Sequence, residues 1–478
     1  MLELTPPVVR SKRQAPRRAP EPRFLPDTSH QLDGILGCPA LHVPGEHLAW
    51  AVRRIVDRFD TSAAEAAYSS LGRRGYHPKC LLAVWIYASL IGLHHSTKVA
   101  RAAATDAAFR LLARGRAPSG PTLRRFRLEH ADLFAAVLAQ TIRLAVEDGL
   151  VDPQDLAVDS VRLRAHASTK AVRSRKRSTE RLRELAAIDP ATLDDTARAA
   201  HAAKVQKHTE AIAACDKRDA ASVVLTNPGA ALMKFPTGAG LPGHRATVVA
   251  SGQARRFVVG LLIDAATNDY GKLEGAVRET RRVLTEAGVP PSTPLQIAAD
   301  AGYWSEADLG FAGGASDVDV LIADPRGDDA SAERLFGRHL FTIHADRSAT
   351  CPAGRLMQGP YDDISVGRTK WLGDGCGDCV LRAGCTDGKR RQLTTSIAAE
   401  QMRTRLKQPG ARARYNRRMA TIEPVFSSIE EGMGFRRVSS RHPLGLTTEI
   451  TLKVLAYNVG RLIQAGRLRP VLVLLGPF

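Results

Sequence analysis

Apolar and polar positions recur with two different periods along this chain, and the change of period divides it. From about residue 46 to 150, Ala, Leu, Val and Ile return at three-to-four spacing, which predicts a run of helices. The apolar stretch Leu81 to Leu93 is too short to span a bilayer and reads as a buried helix. Pro118-Ser-Gly-Pro121 interrupts the pattern, and Thr122 behind it is a suitable N-cap for a helix beginning LRRFR. Another helix is predicted from Ala131 to Val146, ending near Gly149. At Leu156 the texture becomes that of strands: LAVDSVRLRAHAS, then a hairpin of Thr247 to Ser251 and Phe257 to Asp264 across Gly252-Gln253. Pro294 to Asp300 and Val318 to Ile322 follow as core strands, alternating with helical patterns at Tyr270 to Ala287 and Ser305 to Leu309. A meander followed by strand–helix alternation predicts an α/β domain with a mixed sheet flanked by helices.

The remaining segments set the organisation. Residues 1–30 mix Pro with Arg and Lys, cannot bury apolar area, and read as a disordered basic arm. A helical domain is expected over 31–150 and the α/β domain over 151–478. The latter carries two insertions, a basic helical one at about 165–225 and a Cys-bearing one at about 340–395.

Charge adds a partner. There are 68 Lys+Arg against 49 Asp+Glu, a formal +19, and the isoelectric point is near 10. This points to an anionic partner, most plausibly nucleic acid, although a GC-rich genome would also inflate Arg. Location decides. Arg162, Arg164, Lys170, Arg173, Arg175, Lys176, Arg177, Arg181 and Arg183 face only Glu180 and Glu184, too one-sided for ordinary surface decoration. Arg124, Arg125 and Arg127 could line a DNA backbone or a solvated helix face, and Arg436, Arg437 and Arg441 close a third basic region. Seven Cys in so long a chain do not make a secreted disulfide scaffold, and no signal-peptide or membrane-spanning pattern occurs, so a cytoplasmic, nucleoid-associated protein is expected. Gly238, Gly240 and Gly243 spell a dinucleotide fingerprint, but Pro242 and the strand-like residues behind it deny the helix that site needs. Without a Walker A sequence, no nucleotide cofactor is expected. His94 and His95 read as packed or surface residues.

Two acids share one local grammar, Asp159 in LAVDS and Asp300 in IAADAGYWS. A carboxylate at the end of a buried strand suits a hard cation, although a lone strand-end Asp more often caps a turn. A third acid, Glu423, follows Tyr415, Arg418 and Ile422, which stand at helical spacing; Pro424 biases Glu423 toward a kink or helix entry. Glu449 is a weaker candidate in what reads as a core helix.

With these residues the chain resembles bacterial insertion-sequence DDE transposases, over most of its length. HPKCLLAVWIYASLIGLHHSTKVARA through PSGPTLRRFR is similar to their N-terminal helical domain. LAVDSVRLRAHAS resembles the first-Asp motif; PGHRATVVAS and NDYGKL resemble the segment before the second acid; ADAGYWSEADL resembles the second-Asp motif. Tyr415, Arg418 and Glu423 fit the Tyr–Arg–Glu signature, and EPVFSSIEEGMGFRR and LAYNVGRL are similar to the C-terminal end. The resemblance implies a ribonuclease H-like core in which Asp159, Asp300 and Glu423 hold two Mg²⁺ or Mn²⁺ ions for phosphoryl transfer. It implies double-stranded DNA as partner, at terminal inverted repeats and a target site, and a homodimer on DNA. Arg124, Arg125, Arg173, Arg175, Lys176, Arg177, Tyr415, Arg418, Arg436 and Arg437 are the expected DNA contacts. One position departs: where this group carries a Lys on backbone phosphate, the chain has Glu430, unfavourable in sign beside an anion. A catalytically impaired, DNA-binding descendant and a metal-dependent nuclease are the alternative readings.

Cys351, Cys376, Cys379 and Cys385 include one C-x₂-C pair and could coordinate a structural Zn²⁺ tetrahedrally, or be ordinary buried thiols. Such a Cys-bearing insert also occurs in the relatives that the resemblance names. Cys38, Cys80 and Cys215 read as plain core or surface residues.

Overall fold

The computed structural model describes residues 24–32, 37–70, 73–252, 255–325, 336–363 and 368–466. Residues 1–23 of the expected arm lie outside the described residues, whereas Phe24 packs edge-on against Tyr68 and Asp27 pairs with Arg53 at 2.5 Å. Seven helices follow: α1 (Leu48–Arg58), α2 (Ser62–Ala66), α3 (Pro78–Leu90), α4 (Ser96–Thr105), α5 (Ala107–Leu112), α6 (Gly120–Glu129) and α7 (Ala131–Glu147). The cap of α6 is Ser119, not Thr122: its side chain accepts from the Thr122 N–H and lets Pro121 occupy the first turn, where no N–H is needed.

The α/β region begins with β1 (Leu156–Arg164). Between β2 (Val172–Ser174) and β3 (Ser222–Val224), which pair antiparallel, the basic insertion forms a helical hairpin of α8 (Arg175–Ala186) and α9 (Asp195–Lys217). Then come β4 (Ala231–Lys234), β5 (Gly240–Ser251), β6 (Phe257–Asp264), α10 (Leu273–Glu286), β7 (Leu295–Ala299), α11 (Glu306–Gly314) and β8 (Val318–Ile322). With β1 these strands make one six-stranded mixed sheet. β5 carries β4 and β6 on one edge and β1 on the other; β1, β7 and β8 run parallel. This is the mixed sheet flanked by helices that the sequence predicts, consistent with a ribonuclease H-like core.

The Cys-bearing insertion holds β9 (Thr342–Ile343), β10 (Ala349–Thr350), β11 (Gln358–Asp363), β12 (Arg368–Leu372), α12 (Arg382–Cys385) and β13 (Gln392–Ser396), packed on a small core of its own around Phe341, Met357, Trp371 and Leu393. The chain ends with α13 (Ile397–Leu406), α14 (Ala411–Ser427) and α15 (Pro443–Gln464). Pro424 lies inside α14 and does not start it, so Glu423 sits within the helix rather than at its entry. A proline cannot donate to the carbonyl four residues back. That carbonyl, of Ala420, instead accepts from Arg256 Nε at 2.8 Å, and the helix passes into a π turn at Ser428–Gly432.

Candidate active site

The sheet register brings the first two acids together. β1 and β7 are parallel neighbours with Val158 opposite Ala299, so the next residue of each strand is Asp159 and Asp300. Each is held at one carboxylate oxygen by nearby backbone. Asp159 Oδ1 accepts from Ser160 N at 2.7 Å, and Asp300 Oδ1 from Gly302 N at 3.0 Å. Both second oxygens turn toward one guanidinium: Arg418 Nη2 lies 2.7 Å from Asp159 Oδ2 and 3.8 Å from Asp300 Oδ2. Burial raises the Asp159 carboxyl to about 6 against the pull of Arg418, and Asp300 and Asp269 add to the rise. Asp300 is raised by the same main cause, also against Arg418.

Glu423 is not drawn into this pair. It is exposed on α14, roughly 140° around the helix from Arg418 at 100° per residue. Among the described residues, no three His, Cys, Asp or Glu side chains are grouped to hold a metal ion. Glu449 offers no substitute: it is fully buried, accepts from Ser439 and Ser440, and faces Arg127 at 3.9 Å. The residue that sequence reading missed is Asp269, in the loop between β6 and α10, which accepts from Ser160 Oγ and Arg245 Nη1 beside Asp159 and Asp300. The NDYGKL segment was the only signal available for it.

The expected DNA contacts divide by exposure. Arg124, Arg125, Lys176, Arg177, Arg436 and Arg437 are exposed, with Arg436 paired to Glu431. Arg127 is buried instead, its guanidinium 4.8 Å from the centre of the Trp85 ring. Arg418 turns inward to the acids with 8% of its surface exposed. Tyr415 is half-buried, with its phenol raised chiefly by burial. Arg173 donates to the carbonyls of Lys170 and Val172, and Arg175 pairs with Asp216 at 3.1 Å. Glu430 is half-buried, and burial raises its carboxyl.

Oxygen donors alone, brought together from adjacent strands, fit a hard divalent cation. Sulfur donors in the insertion are closer to a soft site. All seven cysteines are free thiols, and Cys376, Cys351 and Cys379 lie near enough to Cys385 to raise its thiol further after burial. They share a neighbourhood without forming a closed ligand set.

Residues 350–463 match a family model described as a transposase DDE domain, and residues 40–129 match a transposase domain model. The first match includes Arg418, Glu423 and the four insertion cysteines; Asp159 and Asp300 precede it. No curated protein and no solved structure matches the chain. No helix among the described residues is long and apolar enough to cross a membrane.

Proposed function

The chain belongs to the insertion-sequence DDE transposases, and from that premise we propose that it cuts insertion-element ends and transfers the strands to target DNA, with Asp159, Asp300 and Glu423 as its metal-binding acids. The observation that carries this reading is the β1–β7 register, which sets two carboxylates side by side with their Oδ2 atoms toward one cation. A bound Mg²⁺ or Mn²⁺ supplies Lewis-acid polarisation of the scissile phosphate and lowers the pKa of an attacking water. The chain's own part is to hold that charge and orient DNA. Asp159 and Asp300 bind, and Arg418 neutralises them when no metal does. Exposed Arg124, Arg125, Lys176, Arg177 and Arg437 grip backbone phosphates of a terminal repeat, with a second protomer on the paired end. Glu423 joins when α14 shifts, and the helix hydrogen bond missing at Pro424, with the π turn beyond it, gives the helix a place to do so.

Asp159→Ala, Asp300→Ala and Glu423→Ala should each lower Mg²⁺-dependent cleavage of terminal-repeat DNA by more than about a hundredfold, the upper range for loss of a merely supporting group. Binding without metal should persist. Cleavage that survives one substitution removes that residue from the site. Glu430, with Glu431 beside it, favours a second reading, a DNA-binding descendant without turnover; wild-type protein that binds the repeat and never cuts it would establish that reading instead.

Cys351, Cys376, Cys379 and Cys385 are proposed as ligands of a structural Zn²⁺. Purified protein should then contain about one zinc per chain by elemental analysis, and Cys379→Ser should lose it and lower the melting temperature. Zinc-free protein with an unchanged melting temperature would leave the four as plain thiols.

A further inference from the structure

Beneath the two aspartates lies a set of polar groups that the proposed chemistry does not itself use. Arg245, on β5, is 1% exposed. Its Nε donates to the Ala266 carbonyl at 3.0 Å, and its Nη1 donates both to Ser160 Oγ at 2.6 Å and to Asp269 Oδ1. Ser160 Oγ donates to the same Asp269 oxygen. Ser160 therefore works at both ends: its backbone N–H holds Asp159 Oδ1, and its hydroxyl is tied to the Arg245–Asp269 pair. The other Asp269 oxygen reaches the second aspartate's turn. A Cβ built on Gly302 would stand 3.1 Å from Asp269 Oδ2 and 3.0 Å from Asp300 Oδ1, and the Gly302 N–H holds that same Asp300 oxygen.

A buried ion pair of this kind is seldom retained for stability alone, because well-packed apolar residues often do as well or better. Asp269 is a poor direct ligand, since one of its oxygens already serves two donors and its charge is matched by Arg245. What the pair can do is fix the inner edge of Asp159 through Ser160.

We propose that Arg245 and Asp269 are positioning residues of the metal site: acting through Ser160, they hold Asp159 so that its Oδ2 faces, together with that of Asp300, one hard divalent cation. This rests on the functional reading above. The pair needs no contact with DNA or with the metal. Its effect should appear in how tightly the site binds a divalent ion, rather than in DNA affinity or in cleavage at saturating metal.

The test uses the full-length chain and Mn²⁺ alone, with binding followed by calorimetry and by the spin-resonance signal of free Mn²⁺. Asp269→Asn and Ser160→Ala should each weaken Mn²⁺ binding by about 10–100-fold, the usual cost of losing a group that orients a ligand. Metal-free DNA affinity should stay as in wild type, and high Mn²⁺ should restore much of the cleavage. Ser160→Ala deletes a single hydroxyl and decides the matter if Asp269→Asn fails to fold. Mn²⁺ affinities within about twofold of wild type in the folded variants would overturn the proposal, because a purely structural pair would change the melting temperature and not the metal titration. Asp159→Ala separates the two levels. If it binds Mn²⁺ as wild type does, the acid-pair reading itself fails; if it loses Mn²⁺ while Asp269→Asn and Ser160→Ala keep it, only the positioning role fails.

Discussion

Gly302 shows how little space the site allows a single residue. Its backbone is not in the left-handed region, so the demand for glycine comes from the two carboxylates converging on its α-carbon. Gly302→Ala would press on Asp300 Oδ1 and Asp269 Oδ2, each of which can retreat by a few tenths of an ångström. The fold should therefore lose no more than about 1–3 kcal/mol, as for modest overpacking. Half-saturating Mg²⁺ for cleavage should rise by about tenfold, as when an orienting contact is lost. A metal titration alongside a melting curve checks both halves; an unchanged titration would mean that the carboxylates are not held where they stand. At this scale sequence reading found what is local. Asp159 and Asp300 stand out because each follows a short apolar run, although Asp159 lies inside β1 and only Asp300 stands past the end of its strand. Arg245 lies within PGHRATVVAS and Asp269 within NDYGKL, segments that carry the resemblance without singling out either charged residue. Their pairing depends on how β5, β6 and the loop beyond are arranged in the sheet, which spacing along the chain does not encode.

At the scale of elements, strands and helices follow from periodicity, but the bonds that join distant ones do not. β6 shows the difference. Its pairing with β5 slips between Val249 and Ala250. Near that slip the Val258 N–H and C=O both bond to the Asn458 side chain, at 3.0 and 2.9 Å, and Asn458 also donates to Thr141 Oγ1 on α7. One amide on α15 thus ties a strand of the sheet to a helix of the N-terminal region. In the sequence, LAYNVGRL reads only as part of a core helix with a polar residue in it. Asn458→Ala strands the Val258 pair in a dry environment, where each unsatisfied group costs about 1–3 kcal/mol. Chemical denaturation should accordingly register a loss of roughly 2–5 kcal/mol, with helix content by circular dichroism unchanged below the transition. A loss under about 0.5 kcal/mol would show that water reaches Val258. The helix-entry expectation for Glu423 failed for a similar reason: Pro424 alone argues against a helix interior, and the donor that compensates it, Arg256, lies far away in sequence.

For the whole molecule, the helical region and the sheet share one continuous core, running from Val43 through β1, β5 and β7 to Leu462. α3 is apolar on every side because α1 covers one part of it and α15 another. Where α3 meets α15 the contact is also polar. Lys453, 1% exposed, donates to Ser89 Oγ at 2.9 Å and to His94 Nδ1 at 2.8 Å, with the Phe435 ring 5.4 Å away and Glu449 and Arg127 as the nearby charges. Burial lowers Lys453 to about 7, against Glu449 and with Arg127; burial, then Lys453, lowers His94 to about 4. Both groups are bases depressed by folding, so the unfolded chain binds the extra proton and stability must rise with pH. For His94 the gain is complete above the unfolded value near 6.5 and is lost as pH falls through 4. For Lys453 it is complete only above about 10.4, and falls away as pH drops toward 7. Melting temperatures should therefore decline in two stages. Lys453→Met should flatten the decline between pH 10 and 7, and His94→Gln the decline between pH 6.5 and 4. If Lys453→Met instead followed wild type across the alkaline range, Lys453 would be charged in the folded protein, and Glu449 would be balancing both Arg127 and Lys453 where the N-terminal helices meet the catalytic core.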